Sequence, residues 1–436
     1  MKNFNKSRLL ITVFIGTIFL QVSCKKDYTD PNKATEDQVF SSARGLTGAV
    51  VGLQRVYTLG RASTLYNLIT INGLTTNELI VVNTGNTAEV QLAAGGTSVD
   101  GNHSMLTTYW TTCNKTIFDA DRVITNSTSL VDKSYASGLI AYASIFKAMS
   151  IADMAQFWEK IPAGIGTIAT PTTFIDRIDG FKAAIKVLDD AQAAINTNAI
   201  SATFIANIPV GMDIQNTLYA LKARYSLYAG LNAQALTAAN LVNLNVKSVF
   251  SFDAVSLNPV FEVATSTNNV VQVKDSTLGL PPVLAPSLTD QRVPFYTVIN
   301  PTVSPRFRIK GFFNTATTAI PVYLPGEMTL IKAEVYARTN DSTTSKTFVN
   351  MILTKTPASD PFGVGANEAA RNSYGSYAAL LDEIYRQRCI EMFMSGQKLE
   401  DMRRFARPLT ERKRNLMPYP LRERDNNPNT PADPPF

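Results

Sequence analysis

Between Trp110 and Val242, apolar side chains return at three- and four-residue steps in successive stripes, and this spacing constrains the fold more than any other feature of the chain. Trp110, Cys113, Ile117 and Ile124 make the first stripe, and Leu139, Tyr142, Phe146 and Met149 the second. Phe181, Ile185, Leu188 and Ile195 make the third, and Leu218, Leu221, Tyr225 and Tyr228 the fourth. A stripe of this period is the apolar face of an amphipathic helix. Ala220, Ala223 and Ala229 let a partner helix approach closely, Gly230 supplies a helix stop, and Ala235 to Val242 begins the next helix.

The remaining segments read around this helical body. Glu36 to Tyr57 predicts a first helix, Leu74 to Val82 is mixed, and the Gly-, Thr- and Asn-rich stretch from Asn83 to Gly101 predicts a long surface loop. From Asn245 to Pro321 prolines break any long helix, and Val270 to Val273 and Arg306 to Phe313 alternate as short strands do. Helical spacing returns at Leu324, Met328, Ile331 and Val335, and again at Leu381, Tyr385, Cys389 and Met392. The proline-rich tail after Arg407 predicts a chain extended over the surface. Tyr225 to Ala239 resembles a tetratricopeptide unit, with Gly230 at its turn. The expected fold is mostly α, with tetratricopeptide-like helical hairpins and an irregular, loop-rich insert carrying short strands.

The N-terminus has a separate logic. Lys2, Lys6 and Arg8 precede an apolar run from Leu9 to Val22, too short for a bilayer span of about 20 residues, and Ser23-Cys24 follows. That plan predicts a secretory signal over residues 1–23. A cysteine directly after the run resembles the lipobox of bacterial lipoproteins, with Gln21 where Leu is usual. The resemblance implies lipidation at Cys24, a tether over 24–37 and one domain over 38–436, divided into 38–244, the insert 245–321, and 322–436. Lys25-Lys26-Asp27 resembles the charged export signal of surface lipoproteins in Bacteroidetes, implying a lipid-anchored protein outside the cell.

Composition narrows the function. With 45% apolar and 17% charged residues the body is an ordinary globular chain. Loss of Lys2, Lys6 and Arg8 lowers the formal charge from +6 to about +3, too little to argue for nucleic acid. Cys113 and Cys389 fall on helix stripes and are expected to be core thiols. His103 is the only histidine, so histidine-rich metal sites and histidine-based triads are not supported. Phosphate-cradling and nucleophile-elbow motifs are missing as well. Glycoside hydrolysis would need two carboxylates facing one cleft about 5–10 Å apart.

The second half carries a more specific signal. Glu327-Met328-Thr329-Leu330-Ile331-Lys332-Ala333-Glu334, the stretch from Gln387 to Arg404, and Met417-Pro418-Tyr419-Pro420-Leu421 together resemble the SusD/RagB family. The matching positions of its signature are Arg388, Glu391, Gly396, Asp401, Arg403 and Arg404, with departures at Gln387, Ser395 and Leu399. These residues have a structural reading: Arg388 and Glu391, three apart on a helix, can pair, Gly396 can end that helix, and Asp401, Arg403 and Arg404 can satisfy helix ends and carbonyls.

The resemblance implies a nutrient-binding lipoprotein of the outer membrane, set as a lid over a SusC-like TonB-dependent transporter and binding an oligosaccharide or, in some members, a peptide. It implies no cofactor, although calcium occurs in some relatives. Sugar recognition needs aromatic faces and polar side chains. The loop candidates are Asn77, Glu78 and His103 from the first irregular region and Phe295, Tyr296, Phe312 and Phe313 from the second. Trp110 and Trp158, the only tryptophans, fall on buried helix faces, so a short oligosaccharide or peptide is expected instead of a long glycan on a tryptophan platform. A lipid-anchored scaffold that binds only protein is the alternative.

Overall fold

A computed structural model of the chain describes residues 39–167, 169–265 and 269–436. The expected signal, Cys24 and the tether lie outside the described residues. The helices are α1 (Ala43–Thr58), α2 (Thr64–Thr75), α3 (Thr87–Ala94), α4 (Ser104–Ser127), α5 (Lys133–Phe157), α6 (Arg177–Thr197), α7 (Ala202–Ala206), α8 (Ile214–Tyr228) and α9 (Asn232–Leu241). They continue as α10 (Arg292–Tyr296), α11 (Pro325–Arg338), α12 (Ser342–Thr354), α13 (Tyr377–Glu391), α14 (Lys398–Arg404) and α15 (Leu421–Asn426). Side-chain caps set several starts: Asp132 accepts from Tyr135 N at 2.9 Å, Asp213 from Asn216 N at 2.8 Å and Asp341 from Thr344 N at 3.0 Å.

The long helices stack in sequence: α4 on α5, α5 on α6, α6 on α8, α8 on α9, α9 on α11, then α11 on α12 and α13. Two of these hairpins turn in the same way. After α8, Gly230 takes φ 74° and Leu231 N donates back to Ser226 O at 2.8 Å. After α11, Asn340 takes φ 66° and Asp341 N donates to Tyr336 O at 2.8 Å. A left-handed residue closing such a bond is the helix stop expected at Gly230, and Asn is the other residue that adopts it readily.

Helix α5 is the centre of the stack, with nearly every side chain buried. Among the described residues it alone is long and apolar enough to cross a membrane, but it is enclosed by α1, α4, α6 and α8. One apolar core runs through most of the protein, and a smaller one joins α11, α12 and α13 through Ala333, Val349 and Ile384. Cys113 and Cys389 are buried free thiols.

The insert carries five of the eight short strands among the described residues, and the other three lie in the N-terminal half. Strands β1 (Leu79–Val81), β2 (Lys160–Pro162), β3 (Phe174–Asp176), β4 (Val249–Phe250), β5 (Val271–Val273), β6 (Thr297–Ile299), β7 (Phe307–Ile309) and β8 (Ile320–Pro321) form four antiparallel pairs. β4 pairs with β8, Phe250 opposite Ile320, and closes the insert at its base. β1 pairs with β5, Ile80 opposite Gln272, and fastens the insert to the N-terminal half. β6 and β7 make a hairpin within the insert.

Two expectations are corrected. The stretch from Asn83 to Gly101 is not an open loop: it holds α3 and a short 3-10 turn at Gly96–Ser98, with Glu89 and Leu92 turned into the protein. The tail after Arg407 is not extended over the surface throughout: residues 417–420 turn into the protein. Met417 and Tyr419 are fully buried, Trp158 Nε1 donates to Pro418 O at 2.8 Å, and the Tyr419 hydroxyl accepts from Lys160 N at 3.0 Å. The prolines fix an extended backbone that carries these large apolar side chains into the core.

Candidate functional site

The signature residues gather where α11, α13 and α14 meet. Glu334 accepts from Arg404 at 2.6 and 3.0 Å and from Arg338 at 2.7 Å, while Arg388 lies 3.9 Å away. Asp401 accepts from Arg388 Nε at 2.9 Å and from Arg404 at 2.6 Å. Burial alone would raise the Glu334 pKa; Arg404, Arg388 and Arg338 outweigh it and hold the carboxyl down at about 2. Arg403 reaches Glu400 at 2.7 Å and the carbonyl of Asn415. The expected use of Arg403 on a carbonyl is therefore present, whereas Asp401 and Arg404 work mainly through carboxylate pairs.

Arg388 and Glu391 do not pair. Glu391 is turned toward the insert, where it accepts from Arg292 at 3.1 Å and from Lys355. Arg292 also grips Asp290 at 2.7 Å and Gln387 Oε1 at 2.6 Å, so Gln387 keeps a place in the network although it lacks a carboxylate. Although three apart on α13, the two side chains are drawn to different partners: Arg388 to Asp401 on α14 and Glu391 to Arg292 on α10. Gly396 is left-handed at φ 82°, but it does not end α13, which stops at Glu391. It lies in the following turn, where a Cβ would come within 2.5 Å of Leu68 Cγ.

The first group of ligand candidates is engaged internally. Asn77 donates to Glu411 O at 2.9 Å. Glu78 is 1% exposed; burial raises its carboxyl to about 7 against the pull of Lys398. His103 caps α4, its Nδ1 accepting from Leu106 N at 3.4 Å and its Nε2 lying 2.9 Å from Ala88 O. Burial lowers the imidazole pKa.

The second group comes together. Phe295 and Tyr296 end α10, and Phe312 and Phe313 sit in the 3-10 turn Gly311–Phe313 just after β7, not in the strand itself. The Phe295 ring meets Tyr296 at 4.9 Å and Phe312 at 5.3 Å, all edge to face. Phe362 joins at 5.9 Å from Phe312, and Lys247 Nζ lies 5.5 Å from the Phe362 ring. Phe295, Phe312 and Phe362 are half-buried, whereas Tyr296 and Phe313 are buried beneath them. The Tyr296 hydroxyl donates to Glu391 O at 2.5 Å and so fastens this face to α13. Lys247 and Phe362 come from segments distant in the chain, and nothing in sequence spacing links them to Phe312.

Phe312 and Pro321 also line an interior cavity of about 60 Å³ shared with Asp153, Gln156, Arg224 and Glu327. That is room for a few water molecules, not for a sugar ring. Glu327 is clamped by Arg224 at 2.6 and 2.7 Å. Asp153 accepts from the Tyr57 hydroxyl at 2.7 Å, and burial lifts its carboxyl to about 7. Two carboxylates thus share a cavity without space for the bond they would have to cleave. Among the described residues, no group of three or more His, Cys, Asp or Glu side chains is placed to hold a metal ion.

No family model and no curated protein matches the chain in sequence. Solved structures do match in shape. A SusD superfamily protein from Bacteroides thetaiotaomicron superposes with a TM-score of 0.71 at 13% identity, over 90% of this chain and 100% of its own. A SusD-like carbohydrate-binding protein from Bacteroides fragilis gives 0.68 at 14% identity, over 90% and 99%. A laminarin-binding SusD-like protein gives 0.63 at 13% identity, over 90% and 99%. The chain has the SusD-like fold.

Proposed function

We propose that this chain belongs to the SusD/RagB family and is a glycan-capture lipoprotein. In this reading it is anchored to the outer membrane through Cys24, displayed at the cell surface, and passes its ligand to a SusC-like TonB-dependent transporter. The observation that carries the proposal is the correspondence of nine-tenths of the chain with solved SusD-like proteins, including one described as carbohydrate-binding and one described as laminarin-binding. The lipobox-like Ser23-Cys24 and the charged Lys25-Lys26-Asp27 support the location. The ligand face is the cluster of Phe295, Phe312 and Phe362, where half-exposed rings offer apolar surface to the C–H face of a sugar and Lys247, beside the Phe362 ring, can donate to hydroxyls. No catalytic step is assigned.

The test is calorimetric titration with a panel of short gluco-, xylo- and manno-oligosaccharides and of peptides. At least one saccharide is expected to bind, and Phe312→Ala is expected to weaken it about tenfold. Binding of peptides alone would identify a peptide-capturing protein of the same fold. No binding across the panel would favour a protein-binding scaffold.

A further inference from the structure

A cleft of about 610 Å³ lies among α4, the connection between β2 and β3, and α15, and it shares no lining residue with the aromatic face. Trp110 lines it and is held from several sides. Its Nε1 donates to Glu423 Oε2 at 3.0 Å, Trp158 meets it edge-on at 4.8 Å and Phe174 stacks on it at 6.3 Å. Asn427 donates to Thr172 O at 3.1 Å and to Glu423 Oε1 at 3.0 Å, so α15 is tied to the β2–β3 connection. The cleft is therefore preformed, and α15, in the tail that follows the buried Tyr419, builds one of its walls.

Its chemistry is selective. Phe118, 42% exposed, supplies an apolar face. Asn114 and Asn426 give their amide hydrogens to Trp110 O at 2.9 Å and Arg422 O at 2.7 Å. Each keeps a carbonyl oxygen with no hydrogen-bond partner among the described residues. Lys115 is paired with Asp119, and Glu423 accepts from Trp110 and Asn427, so the charged side chains lining the cleft are already engaged. Such a cleft suits an uncharged occupant with hydroxyl donors along one edge and an apolar face on the other. We infer that it is a second saccharide-binding site, an inference that rests on the glycan-capture reading.

The chain's only tryptophans, Trp110 and Trp158, touch each other at this cleft, and the aromatic face contains only Phe and Tyr. Tryptophan emission therefore reports the cleft separately. The chain is titrated with the same short gluco-, xylo- and manno-oligosaccharides by calorimetry and by emission in parallel. The second site predicts a saturable emission change whose midpoint weakens about tenfold in Phe118→Ala and in Asn426→Ala. Both positions are exposed, and circular dichroism checks that each variant folds. Heat of binding with constant emission, or unchanged midpoints in both variants, overturns the second site and leaves glycan capture standing. An emission change caused by peptides and not by saccharides overturns the ligand class. Silence in both signals with every saccharide overturns both proposals.

Discussion

Glu334 and Asp153 show how burial is resolved in opposite directions by what lies beside the carboxyl. Glu334 is surrounded by guanidinium groups and stays ionised, with its pKa held at about 2. Removing one partner of a buried ionic network costs about 3–5 kcal/mol, so Glu334→Gln is expected to lose that much stability near neutral pH. A folded pKa below the unfolded value of 4.5 contributes stability above that pH. The gap between wild type and variant should therefore close as pH falls toward about 2, and chemical denaturation at several pH values measures it. Among the described residues Asp153 has only Tyr57 as a hydrogen-bond donor, and burial raises it from 3.8 to about 7. Here the native state holds the proton more tightly, so its stability contribution is complete below 3.8 and is lost as pH rises through about 7. Glu78 adds a slope of the same sign over a similar range. Asp153→Asn is expected to flatten the decline between these limits without abolishing it; an unchanged slope would show that Asp153 is not the group responsible.

Among the elements, the turn after α14 repeats the stop seen after α8 and α11 with a less suitable residue. Arg407 N donates to Met402 O at 2.8 Å while Ala406 takes φ 49°. An L-residue with a Cβ is strained there, and Ala406 is exposed, so its methyl has little packing to lose. Ala406→Gly is expected to stabilise the protein by about 0.5–1 kcal/mol, read as a raised melting temperature.

The same comparison of elements shows what was legible in the sequence. α4, α5, α6, α8 and α11 each announced themselves by a periodic stripe, and Gly230 by its position at a stop. α2 did not, because all twelve of its residues are buried and no polar side marks the period. α3 is too short for a stripe, and the tail hid its role because prolines predict extension without saying whether water or core surrounds it. At the corner, the residue types were readable but the pairing was not: Arg388 finds Asp401 only because the turn through Gly396 folds α14 back against α13. At the aromatic face, adjacent aromatics in a proline-rich insert pointed to Phe295 and Phe312, whereas Phe362 and Lys247 arrive by tertiary folding alone. Asn77, Glu78 and His103 illustrate the converse, polar residues in an apparent loop that the fold engages internally.

At the scale of the whole molecule, buried charge networks lock the insert and the C-terminal helices onto a stack of hairpins, and what remains outside is a rigid body with aromatic surface and a preformed cleft. Arg292 joins α10 to α13, Arg224 joins α8 to α11, and Arg177 reaches Glu400 from α6 to α14. The function we propose is capture without turnover. Its most direct test is to incubate the chain with an oligosaccharide it binds and to follow both bound fraction and sugar length by mass spectrometry. The account predicts saturable binding with the oligosaccharide recovered intact; shortened products accumulating in proportion to protein and time would contradict it.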